Sequence, residues 1–290
     1  MPSFVKRLIS KPEFGPFVLL LAMVFIFWEL NPAFLSLRNI SNTLAFTVEL
    51  GLIALAMTLL MTSGEFDLSV GSLFGFSPVL MWTLYNTGIA SIEISFAIAL
   101  ATALGIGLIS GLFVTRLKIP SFLVTLGMLL VVRGTALYVT NGFPQRTWNA
   151  KDLPLAQLLV GDFTVAGLRL HMSLLWFIAA AVLLSILLTR TKTGNWIQAS
   201  GGNANAARAR GVDVNRTKIK LFMLSAAMAG FAGVISSIRT AAANPNSGTG
   251  YELEVIAMVV IGGTALTGGR GTIIGTVFGI FILRLMRNGI

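Results

Sequence analysis

Residues 64–72 read Gly-Glu-Phe-Asp-Leu-Ser-Val-Gly-Ser, with strongly apolar sequence on both sides. Two acids in a glycine-bracketed stretch mark either a surface loop between hydrophobic helices or broken backbone at membrane depth. Unsatisfied amides cost several kcal/mol in hydrocarbon, so broken backbone is tolerated there only where protein or a water-filled cavity covers it. An ionised carboxylate at a helix centre costs at least about 2.5 kcal/mol on insertion scales, which turns it toward the interior or a pathway.

The surroundings favour membrane depth. Of 290 residues, 55% are hydrophobic and 11% charged, against roughly a quarter charged in soluble domains. The absence of cysteine and the single histidine, His171, exclude disulfides, thiolate or multi-histidine metal sites and cysteine nucleophiles, and with them most hydrolase chemistry. No glycine loop ends in Lys-Ser or Lys-Thr, so ATP, if used, is hydrolysed by a partner. The net charge of +10 reflects basic residues beside spans, which set orientation, rather than a nucleic-acid surface.

A bilayer core about 30 Å thick needs about 20 mostly apolar residues per helix. Candidate spans lie near 16–34, 42–62, 70–86, 92–115, 120–140, 172–189, 217–238, 251–264 and 272–288. The 70–86 and 251–264 segments are short and adjoin glycines, as half-helices would. The expected fold is an all-α polytopic bundle of about 9–10 transmembrane helices, one domain over residues 1–290. Lys6, Arg7 and Lys11 precede the first apolar run and no small-residue cleavage pattern follows it, so a retained span with a cytoplasmic N-terminus is expected. Arg190, Lys192, Arg208, Arg210, Arg216, Lys218 and Lys220 face only Asp213, which puts 190–217 in the cytoplasm. The 141–171 loop belongs outside, with a short interfacial helix near Leu153 to Val160. An even span count would require one further helix after 288.

An internal repeat is expected between about 42–140 and 217–290. Glu49-Leu-x-x-Ile-Ala recurs as Glu252-Leu-x-x-Ile-Ala, and Gly64-x6-Gly71-Ser-Leu-Phe-Gly75 recurs as Gly268-x6-Gly275-Thr-Val-Phe-Gly279. The spacing predicts two glycine-broken hairpins facing one another across a pathway. The span count makes them parallel, and one miscounted half-helix would invert them.

Within this frame Asp67 and Ser69 are candidate caps for the amides of the following helix, or solute contacts. Glu65 has no capping geometry and is a pathway candidate. Glu49 and Glu252 either snorkel to the interface or line an outer mouth, and Arg133 in an apolar run needs a partner that one of these acids could supply. The stretch Asn203 to Gly211 reads as a short capped helix ended by glycine, a candidate docking element for another protein. Ser225 to Val234 is a small-residue packing face.

These residues resemble the membrane permeases of ribose-type bacterial ABC importers, which carry ribose, xylose, galactose and related small molecules. Gly64, Asp67, Leu68, Ser69, Val70 and Gly71 are similar to the family's first signature, with Glu65 and Phe66 where glycine and isoleucine are usual. Gly201, Gly202, Asn203, Ala206, Ala207, Arg208, Gly211 and Asn215 match its ATPase-contacting loop. Gly262, Gly263, Gly268, Gly269, Gly271 and Gly275 match a third signature, and the match covers residues from about 40 onward. The resemblance implies the bacterial inner membrane, a second permease, a cytoplasmic ATPase holding ATP and magnesium, a periplasmic sugar-binding protein, and no cofactor in this chain. A branched-chain amino acid permease and an ion-coupled transporter using Asp67, Glu65 or Arg133 are the competing readings.

Overall fold

The computed structural model describes residues 12–147, 150–165 and 167–289. Its centre is α2, Leu37–Thr62, buried on every side over most of its length. A helix apolar all round needs such an environment. Before it lies α1, Phe14–Leu30, and after it α3, Val70–Asn86, α4, Ile92–Arg116, and α5, Ser121–Thr140. Short elements follow: β1, Gln145–Arg146; α6, Pro154–Val160; β2, Asp162–Val165; and β3, Leu168–His171. Next come α7, Met172–Arg190; α8, Lys192–Gly202; α9, Ala204–Ala209; and α10, Val214–Thr240. The chain closes with β4, Ala242–Ala243; α11, Tyr251–Ile261; and α12, Ile273–Gly289.

All nine expected apolar segments are helical, and among the described residues five helices (α2, α4, α5, α7 and α10) are long and apolar enough to cross a membrane. At 1.5 Å per residue the 11-residue α11 covers about 16 Å, half a bilayer core. Only α11 is therefore a half-helix in length, since the 17 residues of α3 cover about 25 Å.

The second long buried helix, α10, packs most extensively on α4, then on α3 and α2. Its small-residue face makes this possible. A Cβ on Gly233 would overlap the Phe74 carbonyl oxygen of α3, and one on Gly107 of α4 would come 2.6 Å from the Phe222 carbonyl oxygen. Helices α4, α5 and α7 bury only a minor part of their apolar surface and present the rest outward, as lipid-facing helices do.

The 141–171 segment contains the expected short helix, one residue later than read, and a β2–β3 hairpin with Asp162 opposite His171. The 190–217 region is less loop-like than expected. Thr191 accepts a hydrogen bond from the Gly194 amide (3.2 Å) and starts α8, despite the glycines and asparagine inside that helix. Asn203 then caps α9 through the Ala206 amide at 3.0 Å, and Gly211 (φ +82°) turns the chain into α10.

Candidate functional site

Ion pairs fix the relative direction of the two central helices. Glu65, just past the end of α2, meets Lys218 near the start of α10 at 2.6 Å, while Glu49 further back on α2 meets Arg239 near the end of α10 at 2.7 Å. Helices α2 and α10 are therefore antiparallel, and the two pairs mark opposite ends of one assembly. At 1.5 Å per residue, Lys218 and Arg239 lie about 32 Å apart along α10, close to the thickness of a bilayer core.

Between these ends the chain breaks after each central helix. In the first break the Asp67 carboxylate is fully buried, and its Oδ1 accepts from the Ser69 amide (2.9 Å) and the Ser69 hydroxyl (2.5 Å). This is a turn two residues wide. Ser69 takes the N-cap position of α3 and makes no side-chain bond to it, so neither residue receives the first helical amides as expected. Asp67 Oδ2 turns toward Ser225 of α10 without a hydrogen bond of ordinary geometry.

The second break, residues 241–250, was not singled out by the sequence. Asn244 Oδ1 accepts from the Asn246 amide at 2.9 Å, the same turn as Asp67 with Ser69. Each turn has a glycine four residues after its first member, Gly71 and Gly248, and these two glycines pack reciprocally. A Cβ on either would overlap the other's carbonyl oxygen. The signal was present as Asp-x-Ser-x-Gly against Asn-x-Asn-x-Gly, but it lies in turn geometry rather than residue identity.

Arg133 of α5 joins the two breaks. Its Nη1 donates to the Pro245 carbonyl (2.5 Å) and the Ser247 carbonyl (2.7 Å), and its Nη2 to the Gly71 carbonyl (3.0 Å). The expected carboxylate partner is thus replaced by three carbonyls, which broken backbone leaves free to accept. Glu252 sits across Gly71, where a Cβ would overlap its Oε2.

The Gly64 and Gly268 segments do not face one another across a gap. The Gly269 amide donates to the Thr62 carbonyl at 2.8 Å, and a Cβ on Gly268 would come 2.8 Å from the Gly64 Cα. Gly201 and Gly202 enter the same junction: a Cβ on Gly201 would lie 2.6 Å from the Gly269 nitrogen, and one on Gly269 would lie 2.9 Å from the Gly202 Cα. Absent side chains let three backbones touch, so α8 meets both glycine-rich segments directly. Gly271 packs on Thr62 in the same place, while Gly262, with Gly263 (φ +91°) beside it, packs against Gly275 and closes the α11–α12 hairpin. Thr58 bonds Thr276 at 2.6 Å and Arg287 bonds Glu254 at 2.7 Å, so α2 and α11 both run antiparallel to α12. The residue-matched segments are consequently parallel, whereas the two turn-containing breaks follow antiparallel helices.

Two cavities lie toward the two ends of α10. One of about 530 Å³ is lined by Asn42, Glu49, Phe74, Arg239, Tyr251 and Arg284 among others, and reaches Ser247 and Gly248 of the second break. Glu49 is 3% exposed and receives Nε and Nη2 of Arg239, whose guanidinium lies 4.4 Å from the Phe46 ring centre, so Glu49 does not snorkel. The other cavity, about 640 Å³, is lined by Glu65, Lys118, Arg208, Asn215 and Lys218 among others, beside α9. Ala206 and Arg208 are exposed there, and Ala207 is buried against the bundle. The expected pathway set therefore divides: Glu49 lines one cavity, Glu65 the other, and Asp67, Ser69, Arg133 and Glu252 build the packing between. Arg239, Tyr251 and Arg284 were missed, although an arginine inside the apolar run of α12 is itself a signal.

The family described as branched-chain amino acid transport system / permease component matches residues 39–290. The ribose import permease of Escherichia coli K12 is 34% identical over 274 residues, covering 94% of this chain and 84% of that protein. The ribose import permease of Bacillus subtilis 168 is 36% identical over 278 residues, covering 96% and 84%. The xylose/arabinose import permease of Sulfolobus acidocaldarius is 32% identical over 292 residues, covering 98% and 79%. No solved structure matches the chain.

Proposed function

Because the chain belongs to this branched-chain amino acid transport system / permease component family, we propose that it passes a small solute of the sugar class between the two cavities at the ends of α10. It is a multi-pass membrane permease component of an ATP-driven importer and not itself an enzyme. ATP and its magnesium belong to a separate ATPase, and a substrate-binding protein delivers the solute.

The observation that carries the reading is a cavity at each end of α10, one of them reaching Gly248, which packs on Gly71 under the Arg133 clamp. A cavity of about 530 Å³ is within the usual range for small-molecule sites. Its Tyr251 ring suits the apolar face of a sugar, and its asparagine and arginine side chains suit the hydroxyls. The relatives that carry ribose, xylose and arabinose favour a sugar over a branched-chain amino acid.

Helices α8 and α9, with the basic face around Arg208, dock on the cytoplasmic ATPase; this places the 640 Å³ cavity and the N-terminus inside and the 530 Å³ cavity outside, in the bacterial inner membrane. Closure of the ATPases moves α8, and the junction of Gly201 with Thr62 and Gly269 carries that movement to the ends of α2 and α11. A second permease completes the pathway, and lipid covers α4, α5 and α7.

The test is uptake from a panel of labelled sugars and sugar acids by proteoliposomes holding the permease, its ATPase and the binding protein. ATP-dependent uptake is expected, and deletion of 203–211 is expected to abolish ATPase association while leaving the permease helical by circular dichroism. Uptake that follows a proton gradient without the ATPase would instead support an ion-coupled carrier working through buried Asp67.

A further inference from the structure

Of the three arginines that line the outer cavity, two have a carboxylate partner among the described residues: Arg239 engages Glu49, and Arg287 engages Glu254, which lies outside the lining, at 2.7 Å. Arg284 also lines the cavity, and no carboxylate lies within ion-pair distance of it among the described residues. It is only 9% exposed, its Nη2 donates to the Phe46 carbonyl, and its Nε has no hydrogen-bond partner. A buried guanidinium with an unused donor is costly unless something completes it.

Resting on the sugar-class reading, we infer that the solute is a polyhydroxylated acid carrying a single negative charge, whose carboxylate is received at Arg284. Three arginines against two glutamates leave one positive charge, which one carboxylate neutralises. A phosphate monoester brings about −1.5 to −2 near neutral pH and would over-compensate the site. The guanidinium fork matches a carboxylate, while a neutral sugar leaves the charge uncovered. Tyr251, half-buried and held edge-on by the buried Phe74 ring at 5.0 Å between ring centres, offers an aromatic surface for the carbon skeleton beside that charge.

The test uses the permease purified with its partner ATPase and without the binding protein, so that the cavity alone selects. Thermal unfolding is followed with sodium glucuronate, glucose, glucose 6-phosphate or sodium acetate at matched ionic strength. Glucuronate at about 20 mM is expected to raise the midpoint by about 2 °C or more, with smaller shifts from the other three. Arg284→Gln is expected to remove the glucuronate shift, and Arg284→Lys to keep part of it. An equal or larger shift from glucose, glucose 6-phosphate or acetate, or no shift with any, overturns the inference in the wild-type protein whether or not the variants fold. ATP-dependent uptake is a separate measurement: its loss would sink the importer reading, and transport of neutral sugar alone would sink only the anionic solute.

Discussion

The two breaks share a turn and differ in charge. Asp67 and Asn244 each close an i to i+2 bond to a backbone amide, at 2.9 Å in both, four residues before the glycines that pack together. Asn244 makes the turn with a neutral amide in a half-buried position, while Asp67 makes it with a carboxylate sealed from solvent. The turn therefore does not require the charge. Whatever the acid contributes lies in its second oxygen, directed at Ser225 of α10, and in the first break alone.

The largest expected effect removes what the breaks have in common. Arg133→Ala strips three carbonyls of their donor and is expected to cost about 3 kcal/mol, read as a shift in unfolding by denaturant of the purified permease. A change under 0.5 kcal/mol would mean that the clamp does not join the breaks. Next, Gly201→Ala presses a methyl group into the Thr62 carbonyl and the Gly269 amide, and is expected to cost about 1–3 kcal/mol and to uncouple ATP hydrolysis from uptake. Wild-type coupling in that variant would remove the glycine junction from the transmission.

Asp67 tests the difference itself. Asp67→Asn keeps the Oδ1 acceptor and is expected to change stability by less than about 0.5 kcal/mol, whereas Asp67→Ala loses the turn and costs about 1–2 kcal/mol. If both variants are equally unstable, the carboxylate is needed for the turn after all and the parallel with Asn244 fails. The smallest effect lies outside the bundle, at Asp162 on β2. Burial alone would raise its pKa, but the bond and charge of Arg169 and the contact with His171 outweigh it and hold the carboxyl below the ordinary 3.8. A depressed folded value gives the hairpin stability that is present above about pH 3.8 and lost as pH falls through the folded value. Faster amide exchange at residues 162–171 is expected on acidification below that point, with α2 unaffected.

The long spans were legible because hydrocarbon thickness sets their length, and α9 because Asn203 and Gly211 bracket it. Helix α8 was not, since Gly194, Asn195, Gly201 and Gly202 argue against a helix that Thr191 nonetheless starts. The glycines of the 64–71 and 262–275 segments were visible, but their contact was not, because close approach leaves no mark distinguishable from a flexible turn. Arg133 plainly needed partners, yet sequence reasoning sought side chains where the structure supplies carbonyls. The 530 Å³ cavity was invisible for a different reason: Glu49, Arg239 and Arg284 are up to 235 residues apart and meet only because α2 runs antiparallel to α10 and α12.

Closure of the bundle between the two cavities can be measured directly, because the chain has no cysteine. Single variants N215C, S69C and S247C would be reacted with a membrane-impermeant thiol reagent in right-side-out and inside-out vesicles, without nucleotide. N215C is expected to label only from the side of α8 and α9, S247C only from the opposite side, and S69C, at 1% exposure, from neither. Labelling of S69C from either side at rest would contradict a closed wall between the cavities.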